Sequence, residues 1–125
     1  MSDLLYKDES YKIIGCCFEV YNTVGIGLLE IVYKDALEYE FKKNNISFER
    51  EKVYPVKYKD VTLPHSFCAD FVAFDKIILE IKCASKVSDQ HVKQTLNYLG
   101  ISKLKLALII NFGEESLKHK RLVLN

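Results

Sequence analysis

Two apolar runs of strand length, Phe67–Phe74 and Ile77–Lys82, follow one another with only Asp75-Lys76 between them. Three charged residues sit inside these runs: Asp70, Glu80 and Lys82. Charges in strands this apolar are costly unless they are paired or bind something. Two carboxylates and an ammonium converging there could hold a divalent cation and stabilise charge on a reacting phosphate.

Whether they converge depends on strand parity. Side chains alternate faces along a strand. Glu80 and Lys82 share a side with Ile78, while Leu79, Ile81 and Cys83 take the other. Asp70 shares a side with Cys68 and Val72. A two-residue turn at Asp75-Lys76 would set Asp70 opposite Ile81, on the wrong face for Glu80. A three-residue loop, Asp75–Ile77, sets Asp70 opposite Lys82 and Val72 opposite Glu80. A shared site therefore requires the longer loop or a β-bulge. A cross-strand salt bridge on a solvated face would use the same three residues. The unbroken apolar flanks favour a site.

The remaining chain predicts eight elements. Ile13, Ile14, Cys17, Val20, Tyr21 and Val24 have helical spacing over residues 9–24, and Gly25-Ile26-Gly27 breaks it. A second helix spans 28–43, with Leu29, Val32, Ala36, Leu37 and Phe41 on its apolar side, and Asn44-Asn45 end it. A strand over 46–58 is interrupted near Pro55, and 60–64 reads as a turn. Strands follow over 65–74 and 77–83. Ser88 caps a helix over 89–99, which Gly100 stops. Strands at 105–110 and 117–124 complete the order α-α-β-β-β-α-β-β. A meander leading into a crossover helix predicts a mixed α/β fold, a central mixed sheet with helices packed on it.

At 125 residues, with 49% apolar and 28% charged residues, the chain reads as a single domain over 1–125 with one core. No run is long enough to span a bilayer, and Met1-Ser2-Asp3-Leu4-Leu5 shows no leader, so a cytoplasmic location is expected. A net charge of +1 leaves only local basic patches, such as Lys118-His119-Lys120-Arg121 and Lys42-Lys43. Cys16, Cys17, Cys68 and Cys83 have no zinc-site spacing and read as buried or half-buried thiols.

Further polar residues could frame the site. Glu30 lies in the first turn of the second helix, where it either serves the helix dipole or reaches the site, with Tyr33 beside it at i+3. On the later helix, His91, Gln94 and Tyr98 flank the core stripe Val92, Leu96 and Leu99. Gln94 could contact a phosphate or a metal-bound water, and His91 is a weak candidate for a general base.

Gly27-Leu28-Leu29-Glu30-Ile31-Val32-Tyr33 matches the pattern that names the GxxExxY protein family. The chain resembles that family elsewhere: Phe18-Glu19-Val20, Val24-Gly25, Ala69-Asp70, Glu80-Ile81-Lys82, Gln94, Leu96-Asn97-Tyr98-Leu99 and Ile109-Ile110-Asn111-Phe112-Gly113. The family is similar to the PD-(D/E)XK nuclease superfamily, which implies a restriction-endonuclease-like core. Ala69 departs from that pattern, standing where a proline precedes the Asp. The resemblance implies Asp70 and Glu80 as ligands of Mg²⁺ or Mn²⁺, Lys82 as the residue assisting the attacking water, Glu30 as an added ligand and Gln94 as completing the site. The implied activity is hydrolysis of phosphodiester bonds in DNA or RNA, and DNA is expected as the partner ahead of RNA. The alternative is a catalytically silent module of the same fold that binds nucleic acid or a protein. A homodimer is a further expectation, because so small a domain offers little surface to grip a duplex.

Overall fold

The most apolar strands must be covered on both faces, and they lie at the centre of the sheet. In a computed structural model that describes residues 4–124, the elements are α1 (Lys7–Val24), α2 (Glu30–Lys43), β1 (Phe48–Tyr58), β2 (Val61–Ala73), β3 (Ile77–Lys82), α3 (Asp89–Ser102), β4 (Leu106–Asn111) and β5 (Lys118–Val123). The residues on which the absence of a leader was expected, Met1–Asp3, lie outside the described part. The strands lie side by side in chain order. β3 and β4 run parallel and the other neighbours antiparallel, so α3 is the crossover helix. Every residue of β4 is buried, and β3 is buried except for Lys82.

One face of the sheet packs on α1 and α2. Ile13, Cys17 and Val20 of α1 and Tyr33, Leu37 and Phe41 of α2 recur at helical spacing. They meet Phe71, Leu79, Ile81, Leu108 and Ile110 in the larger core. Arg50 of β1 ties the edge strand to α2 through Asp35 (2.8 Å) and Glu38 (3.0 Å). The other face packs Val72, Ile78, Ala107 and Ile109 against Leu99 of α3.

Several boundaries differ from the expectation. The turn expected over residues 60–64 is only Lys59-Asp60, and β2 already begins at Val61. Pro64 is tolerated because it lies where the β1–β2 register shifts, and β3 pairs only with Phe71–Ala73. Gly100 does not stop α3, because a helical glycine costs only about 1 kcal/mol. The helix ends at Lys103, whose φ of 67° reverses the chain. The Ser88 cap is as expected: its hydroxyl accepts the His91 N–H at 3.1 Å.

The four cysteines are free thiols. Cys16 and Cys17 are buried and Cys83 is half-buried, but Cys68 is exposed. Burial pushes the Cys16 thiol up to about 11. No helix among the described residues is long and apolar enough to cross a membrane.

Candidate metal centre

The β2–β3 connection settles the parity question in a form the sequence did not suggest. The loop has three residues, Phe74-Asp75-Lys76, not Asp75–Ile77, so Ala73 faces Ile77, Val72 faces Ile78 and Phe71 faces Leu79. Phe74 and Asp75 both have left-handed backbones, and the Lys76 N–H donates to the Ala73 carbonyl at 3.0 Å. Continuing this register sets Asp70 opposite Glu80, where Lys82 was expected.

The ladder stops at that point and side chains replace it. The Asp70 N–H donates to Glu80 Oε2 at 3.1 Å. The Ile81 N–H donates to Asp70 Oδ2 at 2.7 Å. The backbone explains the interruption. Phe67 and Ala69 pack on the α3 side, whereas Phe71 and Ala73 pack on the α1–α2 side, so alternation slips by one residue at Asp70. β1 slips at the same level. Arg50 lies over Phe71 and Tyr54 over Phe67, and Glu51 between them has φ 58°. A matched irregularity in two strands is a bulge-like device that re-aims a side chain.

The electrostatics follow from burial. Glu80 is only 5% exposed. Burial first, and then the Asp70 charge, push its pKa up to about 8, against smaller opposing effects of the Asp70 N–H, Lys82 and Lys34. Asp70 is held by an ammonium that the sequence reading missed. Lys34 of α2 donates from Nζ to Asp70 Oδ1 at 3.0 Å and to Glu51 Oε2 at 2.5 Å. Burial alone would lower the Lys34 pKa, but these two carboxylates together raise it. Lys34 was visible in principle, since it stands at core spacing with Leu37 and Phe41.

The other residues named from sequence occupy different places. Lys82 ends β3, is half-buried, and makes no salt bridge with a described residue. Glu30 is exposed at the start of α2, and its charge reinforces the effect of burial in raising the Cys83 thiol. Tyr33 is fully buried. Its hydroxyl donates to the Gly25 carbonyl at 2.6 Å and accepts the Leu28 N–H at 3.2 Å. Its ring stacks on Phe112 at 4.4 Å. Tyr33 therefore fastens the α1–α2 connection. His91 completes the capping box of α3, with Nδ1 accepting the Ser88 N–H at 3.3 Å. Tyr98 stacks on Phe67, and Asp70 and Glu80 add to burial in raising its pKa. Gln94 is exposed, and its side chain works against that rise in the Tyr98 pKa.

The donor set suits a hard divalent cation. Two carboxylates from adjacent strands meet at the slip, and one is buried strongly enough to take up a proton in the absence of a cation. Among the described residues no third His, Cys, Asp or Glu joins them as a metal-holding group.

No curated protein matches the chain. Its fold is similar to that in the crystal structure of SSO0001, with a TM-score of 0.57 at 18% identity. The match covers 94% of this chain and 59% of that one. Residues 7–122 match the family model described as PD-(D/E)XK nuclease superfamily. The five-stranded mixed sheet between two helical layers is consistent with that match, and the chain belongs to the PD-(D/E)XK nuclease superfamily.

Proposed function

We propose that the chain is a metal-dependent nuclease that hydrolyses phosphodiester bonds in DNA or RNA. The observation that carries this reading is the meeting of Asp70 and Glu80 at the strand slip, with Lys82 two residues further along β3. Asp70 and Glu80 would hold Mg²⁺ or Mn²⁺; Glu30, exposed at the start of α2, does not join them in this structure. When bound, such an ion polarises a phosphate and lowers the pKa of water. Lys82 supplies an ammonium where negative charge develops on the phosphate. Gln94 on α3 would orient a phosphate oxygen or a water, with Tyr98, whose hydroxyl feels the Glu80 and Asp70 charges, as an accessory residue. A second copy of the chain would extend the grip on a duplex.

Purified protein with Mg²⁺ or Mn²⁺, offered single-stranded, duplex and branched DNA and RNA, tests the proposal. Cleavage is expected, and Asp70→Ala or Lys82→Ala should each reduce it by at least about a hundredfold without unfolding the chain. Absence of cleavage on every substrate contradicts it. One observation favours a second reading, a non-catalytic binding module: among the described residues no group of three His, Cys, Asp or Glu is placed to hold a metal ion, and Asp70 is already paired with Lys34. Binding of nucleic acid without metal uptake or cleavage would select that reading.

A further inference from the structure

Lys34 occupies a core position of α2 and is only 7% exposed. Its ammonium lies between two carboxylates on different strands, Asp70 of β2 at 3.0 Å and Glu51 of β1 at 2.5 Å. A buried ammonium without such partners would be strongly destabilising, so the pairing accounts for its presence. The two partners differ in environment. The Asp70 side chain is 17% exposed and that of Glu51 is 52% exposed.

This arrangement bears on cation binding. An ammonium at hydrogen-bond distance from Asp70 already neutralises the carboxylate that a divalent cation would need. Two cations cannot both lie against Asp70 without repelling one another. Glu51 offers Lys34 an alternative. It reaches Lys34 from the left-handed position where β1 slips, and its solvated carboxylate can keep the ammonium once Asp70 is withdrawn.

We propose that Lys34 is a resident counter-cation of the site, holding Asp70 while no metal is bound and withdrawing onto Glu51 when a divalent cation takes Asp70. The proposal rests on the reading of Asp70 and Glu80 as ligands. Lys34 is then a positioning residue that sets metal affinity by competition. Glu51 sets how easily the exchange occurs. Lys82, on another element, is free for a different role.

Calorimetric titration of the intact chain with Mn²⁺ tests the proposal without reference to activity. Lys34→Met should bind Mn²⁺ about five- to tenfold tighter than the wild type, because the competing charge is gone. Lys34→Arg keeps the charge and should stay near wild-type affinity. Glu51→Gln should bind more weakly, since Lys34 then rests on Asp70 alone. A cooperatively melting Lys34→Met protein with unchanged or weaker binding overturns the proposal. If that variant fails to fold, Lys34→Gln, which keeps a polar group for both carboxylates, carries the same expectation. Asp70→Asn separates the two readings. Mn²⁺ binding lost in Asp70→Asn but not tightened in the Lys34 variants overturns the counter-cation alone. Absence of binding in every protein overturns both.

Discussion

Glu80 concentrates the electrostatic tension of the site. Its ordinary pKa is 4.5, and burial with the Asp70 charge raises it to about 8 in the folded chain. Between those values the unfolded chain has released its proton while the folded chain retains it. Stability therefore falls as pH rises through this window. Metal-free protein should melt at progressively lower temperature from about pH 5 to pH 8. Glu80→Gln, which cannot ionise, should flatten that fall, and excess Mg²⁺ should restore stability at the alkaline end. Melting curves in chelator with and without added metal provide the check. Equal pH slopes for the wild type and Glu80→Gln would contradict the assignment.

At the scale of elements, the end of β4 is locked to the chain leaving β3. Asn111 is fully buried, and its side chain is fully used. Oδ1 accepts the Ala84 and Gly113 N–H groups, each at 3.0 Å, and Nδ2 donates to the Ala84 carbonyl at 2.9 Å and to Glu114 at 2.7 Å. Gly113 lies so close that an added Cβ would meet the Ala84 carbonyl oxygen at 2.4 Å. Backbone cannot yield as a flexible side chain can. Gly113→Ala should therefore destabilise the fold by about 1–3 kcal/mol, read by denaturant unfolding. An unchanged midpoint would show that this junction is looser than it looks. These elements were legible because apolar spacing marked them: Ile13, Cys17 and Val20 for α1, and the unbroken run Leu106–Ile110 for β4. The slip at Asp70 was not legible. Parity arguments assume regular strands, whereas Glu51 adopts a left-handed backbone that no residue-type preference signals. Gly100 misled for a related reason, since tertiary packing of Leu99 carries α3 past it.

At the scale of the molecule, Asp70, Glu80 and Lys82 could be named from sequence because they interrupt apolar strands. Lys34 could not be assigned its partners, because these lie 17 and 36 residues away and are set by how α2 crosses the sheet. The same packing leaves the α1–α2 connection and the first turn of α2 apolar and open: Ile26, Leu29 and Ile31 are 52%, 72% and 51% exposed. If a second copy completes the grip on a duplex, the wild type should associate with rising concentration. Leu29→Glu with Ile31→Glu should then remain monomeric in sedimentation. A wild type that stays monomeric throughout would remove the dimer from the account.

The central claim is that the strand slip brings Asp70 and Glu80 together as one metal centre. Anomalous diffraction from a crystal soaked in Mn²⁺ tests it most directly. The account predicts a single strong peak within coordinating distance of both carboxylates, absent in Asp70→Asn. A peak confined to other residues, or none with both side chains ordered, would contradict it.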